Sequence, residues 1–251
     1  MPTPRRVIAV VNQKGGVGKT AVSTNLAAAV AQSGGEVLAI DSDRQGNMAS
    51  QLLPDGADYG LADVYTQRTT LQDAIVRSPT VGVDVVVPGD KLAQAELGMV
   101  GAVKREEMLA RHLETLEDDV PLVIIDCPPN LGLLAVNAMT ACTELLIPIS
   151  MQDSESVTGL ADVMATIAQL FGPTDQPPLR AILNRDQKNR RIAQRLSDGL
   201  TAHGVPLTTV RIPERTVFHA APDDGLPAVV SHPDSLPATR FRELAAELKL
   251  V

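Results

Sequence analysis

Nine consecutive residues, NQKGGVGKT at 12–20, have the types and spacing to hold a chain of phosphates. Gly15, Gly16 and Gly18 leave the backbone free for positive φ and close approach, so successive N–H groups can turn inward as an anion cradle. Gln13 and Val17 belong to the same cradle. Lys19 sets a point charge on the β/γ-phosphates, and the Thr20 hydroxyl is the expected Mg²⁺ ligand. The strict pattern G-x4-GK[ST] is not met, because its first glycine would fall at Gln13; a second lysine, Lys14, heads the loop instead. Three carboxylates join this set. Asp126 ends the apolar run VPLVII, where an acid can hold Mg²⁺ through water opposite Thr20. Asp41 and Asp43 lie in DSDRQGN, and alternation along an extended strand end points them the same way. One reading makes them an Asx turn capping the next helix. The other divides the work, one acid serving the metal shell and one orienting or deprotonating water.

Such groups need strands and helices to position them. Val7–Val11 reads as a strand and Ala21–Ala31 as a helix, whose N-terminus adds partial positive charge to the loop. Glu36–Asp41, Val83–Pro88, Val120–Ile125, Glu144–Ser150, Leu179–Asn184 and Val205–Ile212 read as further strands. Residues 53–82 are the least regular, and Lys104–Glu117 reads as a charged amphipathic helix. Strands alternating with helices predict an α/β fold: one doubly wound, mostly parallel sheet with helices on both faces. The 251 residues suit a single phosphate-loop domain, with residues 1–5 as a short polar tail.

Composition narrows the function. With 22 basic against 30 acidic residues, the overall field repels nucleic acid and anionic membrane unless basic side chains cluster locally. Two cysteines, Cys127 and Cys142, provide no disulfide framework and read as buried thiols. No leader precedes the loop and no apolar run reaches the ~18 residues of a spanning helix, so the expected location is cytoplasmic.

The motifs together resemble the ParA/Soj-type partition ATPases, in the deviant-Walker-A group that also includes MinD. NQKGGVGKT resembles the family's signature loop, DSDRQGN its first switch, and IIDCPPNLGLLAVNAM its Walker-B and second-switch stretch. IPISMQDSESVTGL and IPERTVFHAAPDDGLPAV resemble its C-terminal half, and the chain is of the short, Soj-like type. The resemblance implies an ATP- and Mg²⁺-dependent ATPase that dimerises on ATP and turns over slowly until a ParB-like or cargo-adaptor protein stimulates it. Lys14 matches the signature lysine that reaches the partner subunit's phosphates. Asp43 matches the residue assigned to water activation, and Asp41 and Asp126 match the outer Mg²⁺ shell. Asn184 matches a polar contact to adenine, with Pro213 in the base pocket. The chain departs from the family at Arg44, usually Pro; at Ala21, where many members carry a second Thr beside the α-phosphate; and at Glu214 and Val217, usually Arg. Arg215 compensates in part for the last two, which bear on DNA contact.

A local basic cluster offers a nucleic-acid surface. Arg180, Arg185, Lys188, Arg190, Arg191 and Arg195 face only Asp186 within sixteen residues. Such a cluster can bind duplex DNA without sequence preference and with steep salt dependence, or be a solvated helix face. No aromatic residue interleaves it, so stacking on single strands is not expected. At the C-terminus Phe241, Leu244, Ala245 and Leu248 form one stripe, which reads as core-facing rather than membrane-binding. Three functions follow: a nucleoid-associated switch that partitions plasmid or chromosomal DNA, the same switch positioning a protein cargo or sitting on a membrane, and a metabolic or metal-transfer ATPase. Scarce cysteine argues against cluster carriage.

Overall fold

The computed structural model describes residues 5–117, 120–150, 156–172, 175–184, 194, 198–201, 204–214 and 225–251. Seven strands make one sheet: β1 (Arg6–Val10), β2 (Leu38–Asp41), β3 (Val76–Arg77), β4 (Asp84–Val86), β5 (Leu122–Asp126), β6 (Glu144–Ser150) and β7 (Leu179–Asn184). Their order is β3-β4-β2-β5-β1-β6-β7, and every pairing is parallel except β3 with β4. From β1 the chain crosses β5 to reach β2, and from β5 it crosses back over β1 to reach β6. The carboxyl end of β1 is thus the switch point where open α/β sheets hold ligands.

Both faces of the sheet are covered, which is why its strands read as nearly continuous apolar runs. In β5, Leu122 and Ile124 point into one cluster with α1 (Lys19–Gln32), α2 (Asn47–Leu52), α8 (Ala228–Ser231) and α9 (Leu236–Glu247). Val123 and Ile125 point to the other face, against α3 (Leu61–Tyr65), α4 (Leu92–Met99), α5 (Met108–Glu114), α6 (Leu133–Ala141) and α7 (Ser156–Phe171). Helix α1 is buried almost all round; Ala27, Ala28 and Ala29 have no exposed surface, and small side chains there let the helix lie close to sheet and α9. Phe241, Leu244 and Ala245 of α9, with Leu248 just after it, pack into this cluster, so the C-terminal stripe is used by the core. Among the described residues no helix is long and apolar enough to cross a membrane.

Four details differ from the sequence reading. Arg5, expected in a loose tail, is a fastener: its guanidinium donates to the carbonyls of Val120, Leu113, Leu116 and Glu117, closing the C-terminal end of α5. Arg6 does the same on the opposite face, donating to Leu248 and Lys249 beyond α9 and pairing with Glu144. Strand alternation sends the two neighbours to opposite sides of the sheet. Arg5→Ala should cost about 2–3 kcal/mol, since one charged guanidinium donates to four carbonyls and charge-assisted hydrogen bonds are among the stronger ones. Chemical denaturation checks this, and a loss under about 0.5 kcal/mol, the scatter of ordinary surface substitutions, would contradict it.

The helix expected over 104–117 is only α5, preceded by a 3₁₀ turn at Arg105–Glu107. Buried Asn137 donates to Arg105 O and accepts from Leu109 N, so a side chain is inserted where the helix would have continued. The strand expected at Val205–Ile212 is reduced to one bridge, Leu207 with Ala181. Pro206 has no N–H to donate, and the Glu247 carboxylate takes the N–H groups of Thr209 and Val210, so the ladder is not completed. The irregular stretch 53–82 supplies the antiparallel edge strand β3, whose two residues are too few for a periodic signal.

Candidate active site

The loop at 12–18 leaves β1 at the switch point, and Gly18 starts α1 in the left-handed region at φ 90°. Helix α1 therefore begins at Lys19, two residues before the sequence-predicted start, which puts Lys19 and Thr20 in its first turn. Gly16 has φ 75°, and Gly15 and Gly16 face open space where a Cβ would meet nothing. Gln13 is exposed, Lys14 and Ala21 are half-buried, and Val17 is buried. Two hydrogen bonds at the head of the loop fix its path. Asn12 donates from Nδ2 to Pro148 O (2.8 Å) at the end of β6 and accepts Lys14 N (2.9 Å) at Oδ1. Lys19 folds its Nζ back to Lys14 O (3.1 Å), so the buried lysine spans the cradle. Burial pulls its pKa down, opposed by the nearby Asp126, Cys127 and Asp43.

The far wall is Asn184, the last residue of β7. Its Nδ2 donates to Val17 O (2.8 Å), and a Cβ at Gly18 would come within 2.0 Å of that same nitrogen. Glycine at 18 is required twice over, by φ and by this contact. Ile212 N bonds Leu183 O (2.9 Å), which brings the half-buried Pro213 to the same end of β7. Arg185, Lys188, Arg190, Arg191, Arg195, Arg215 and Val217 lie outside the described residues; Arg180 is exposed.

The carboxylates converge on this loop from β2 and β5, whose ends pair Asp41 with Asp126. Thr20 Oγ1 donates to Asp126 Oδ2 (2.7 Å), and Ser23 Oγ lies 3.0 Å from Asp126 Oδ1. Asp41 is fully buried, and both its oxygens take backbone N–H groups: Asp43 N (3.0 Å) and Ala49 N (2.8 Å). The second bond caps α2 from outside the helix. Asp43, half-buried, accepts Gln45 N (3.1 Å). The Asx-turn reading of DSDRQGN is therefore realised, and the same turn places three acids about one strand-end crevice, a geometry compatible with the other reading. Arg44 is exposed and borders a separate cleft of about 620 Å³ with Ser50, Asp58, Arg68 and Lys91, which shares no residue with the loop at 12–20.

Burial, then repulsion from Asp126, raises Asp41 to about 8; burial raises Asp126 to about 6 against the hydroxyls of Thr20 and Ser23. Both folded values lie above the ordinary carboxylate value, so the folded chain binds protons more tightly than the unfolded one. The stability this confers is complete below about pH 4 and is lost as pH rises through about 6 to 8. The ligand-free protein should therefore melt lower at pH 8 than at pH 6, and added Mg²⁺ with ATP should recover more at pH 8. A melting temperature flat across this range, with equal ligand gains, would contradict it. Burial likewise pushes Cys142 up to about 12 and Cys127 well above an ordinary thiol, as expected for unreactive cysteines.

These residues fit a nucleotide with Mg²⁺. The cradle has an open mouth and a lysine inside it, and among the described residues no group of three His, Cys, Asp or Glu forms a metal cage. Mg²⁺ would rest on Thr20 and on phosphates, with Asp126 and Asp41 as the acids expected in its outer shell, which suits its reluctance to dehydrate. Three contacts escape the sequence reading. Asn12 lies inside the motif, yet nothing in the motif gives it a role. Ser23 lies three residues after Thr20 on the same helical face, a spacing that flags it once Thr20 is placed. Asn184 braces the loop across 167 residues of chain, which no local pattern shows.

A family model described as an AAA domain matches residues 5–176. The chain is 32% identical to the sporulation initiation inhibitor protein Soj of Bacillus subtilis over 258 residues, covering 97% of this chain and 98% of Soj. Among solved structures it resembles the septum site-determining protein MinD of Pyrococcus horikoshii with Mg-ADP (TM-score 0.81, 28% identity, 97% and 96% covered). It also resembles cobyrinic acid a,c-diamide synthase of Mycobacterium smegmatis with a bound ATP analogue and magnesium (TM-score 0.80, 28% identity, 98% and 94% covered).

Proposed function

The chain belongs to the ParA/Soj family of phosphate-loop ATPases, to which MinD is related, and on that footing we propose that it is an ATP-driven dimerisation switch that partitions DNA. It is an ATPase that uses ATP with Mg²⁺. The magnesium supplies positive charge to the phosphates when bound; the rest falls to side chains of the chain itself. Lys19 neutralises the β/γ-phosphates from inside the cradle, in a site where burial strengthens each charge. Asp43 orients the attacking water, while Asp41 holds the backbone of the first switch through Asp43 N and Ala49 N. Asn184 and Pro213 take the base at the end of β7. Lys14 crosses to the phosphates of a second copy and stabilises charge there in the transition state.

One observation carries this reading: the loop holds two lysines where one fills the cradle. Lys19 already spans it, and Lys14 is held by its main chain at the rim, through Asn12 on one side and Lys19 on the other. With the cradle filled from within, a second lysine fixed at the rim suits phosphates that another molecule brings to it.

The switch acts on non-specific duplex DNA through Arg185, Lys188, Arg190, Arg191, Arg195 and Arg215, is released by a ParB-like activator, and works in the cytoplasm on the nucleoid. Co-sedimentation with random-sequence duplex DNA, in ATP and in ADP at two salt concentrations, tests this. Binding in ATP alone, falling at least about tenfold as salt rises from about 50 to 200 mM, is the expected result, since each phosphate contact releases counterions. No binding in ATP would remove DNA as the track and leave a protein cargo as the reading, with Glu214 and Val217 as the cause.

A further inference from the structure

Both oxygens of Asp126 are taken from successive turns of one helix. Thr20 Oγ1 donates to Oδ2 at 2.7 Å, and three residues on Ser23 Oγ stands 3.0 Å from Oδ1. Ser23 has no exposed surface, and its hydroxyl also lies 3.0 Å from Lys19 O, so its one hydrogen has a carbonyl one turn back and a carboxylate ahead. The next residue supplies a contrast. Thr24 is equally buried, yet its Oγ1 has no hydrogen-bond partner among the described residues. Of two neighbouring buried hydroxyls on α1, only Ser23 is aimed at the acid.

We propose that Ser23 is a positioning residue for magnesium, setting the rotation of the Asp126 carboxylate. The proposal rests on the reading of Asp126 as part of the Mg²⁺ shell. The terminal torsion of an aspartate is broad, so a carboxylate anchored at one oxygen still swings. Anchoring Oδ1 on Ser23 leaves Oδ2 at a fixed distance from Thr20 and from any water the cation carries. Thr20 cannot do this alone, because the hydroxyl that touches Asp126 is also the one that would meet the cation. Partners one step removed from a metal commonly change its affinity about 10–100-fold.

The test is binding of a fluorescent ATP analogue, titrated with Mg²⁺ and repeated in EDTA, for the natural chain and for Ser23→Ala, Thr24→Val and Asp126→Asn. Ser23→Ala should need at least about tenfold more Mg²⁺ to reach half of the tight-binding signal, with affinity in EDTA unchanged. Thr24→Val should match the natural chain in both. Asp126→Asn should shift the Mg²⁺ dependence at least as far as Ser23→Ala. If Asp126→Asn shifts it and Ser23→Ala does not, the role of Ser23 is refuted while Asp126 keeps its own. If Asp126→Asn leaves Mg²⁺ dependence unchanged, the reading of the magnesium shell fails first and takes the inference with it. A loss in Ser23→Ala that is equal in EDTA, or a matching shift in Thr24→Val, would reduce the hydroxyl to a packing role and overturn the proposal.

Discussion

Replacing Lys14 by alanine should abolish measurable ATP hydrolysis, a fall of at least about a hundredfold, while ATP affinity stays within about threefold. The two halves of this expectation have different grounds, one in the geometry of the loop and one in the proposed role of Lys14 toward a second copy. Affinity is kept because the contacts that set the path of the loop at this residue are made by its main chain: Asn12 accepts the Lys14 N–H and Lys14 O receives Lys19 Nζ, and alanine preserves both. Turnover is lost because a cation delivered to the transferring phosphoryl group from another molecule contributes about 10³–10⁵ in rate in related phosphoryl transfers. Arginine at 14 is a sharper probe than alanine. It keeps the charge but replaces a compact ammonium with a planar fork, and should restore less than about a tenth of the rate. Single-turnover hydrolysis with saturating ATP, alongside equilibrium binding of the same analogue, separates the two effects. Unchanged hydrolysis in Lys14→Ala would eliminate the lysine acting in trans and leave the second lysine unexplained.

Gly18→Ala should be the most damaging single methyl in the loop. It places an L-residue at φ 90°, which costs about 1–2 kcal/mol, and drives a Cβ to 2.0 Å from Asn184 Nδ2. Relief requires Asn184 to leave Val17 O, so a buried hydrogen bond worth about 1 kcal/mol is lost as well. Together these predict ATP binding weaker by roughly two orders of magnitude, at about 1.4 kcal/mol per tenfold. The control is Gly15→Ala, where a Cβ meets nothing and φ is not positive; the ligand-free melting temperature should not move. Adding Asn184→Gly to Gly18→Ala removes the contact but not the strain, and should recover part of the ligand-free melting temperature that Gly18→Ala loses. If the double variant melts no higher than Gly18→Ala alone, backbone strain accounts for everything and the contact with Asn184 adds nothing.

The arginines at 5 and 6 show how a polar stretch can mislead. Nothing in MPTPRR announces that two charged residues will close helices more than a hundred positions away, because the carbonyls they satisfy belong to chain ends that only the sheet brings near. The strand expected at Val205–Ile212 fails for the opposite reason. Its apolar run carries a strand pattern, but Pro206 and the reach of Glu247 from α9 decide against the ladder. DSDRQGN shows a third case. Turn chemistry and site chemistry are alternatives in the sequence; the fold makes the turn bonds with these carboxylates and also brings them to the strand-end crevice where the proposed site chemistry would need them.

The sequence by itself determined the phosphate loop, the strand-end acids and the doubly wound sheet, since each depends on residues close together in the chain: glycines that permit a turn, β-branched runs buried on both faces, an acid where a strand stops. Only the tertiary structure decided which side chains hold those parts in register. Asn12 on Pro148, Ser23 on Asp126, Asp41 on Ala49 and Asn184 on Val17 are contacts between polar atoms removed from water together. Most buried polar atoms find a partner within about 3 Å wherever the fold supplies one, and that pairing leaves no trace in local spacing.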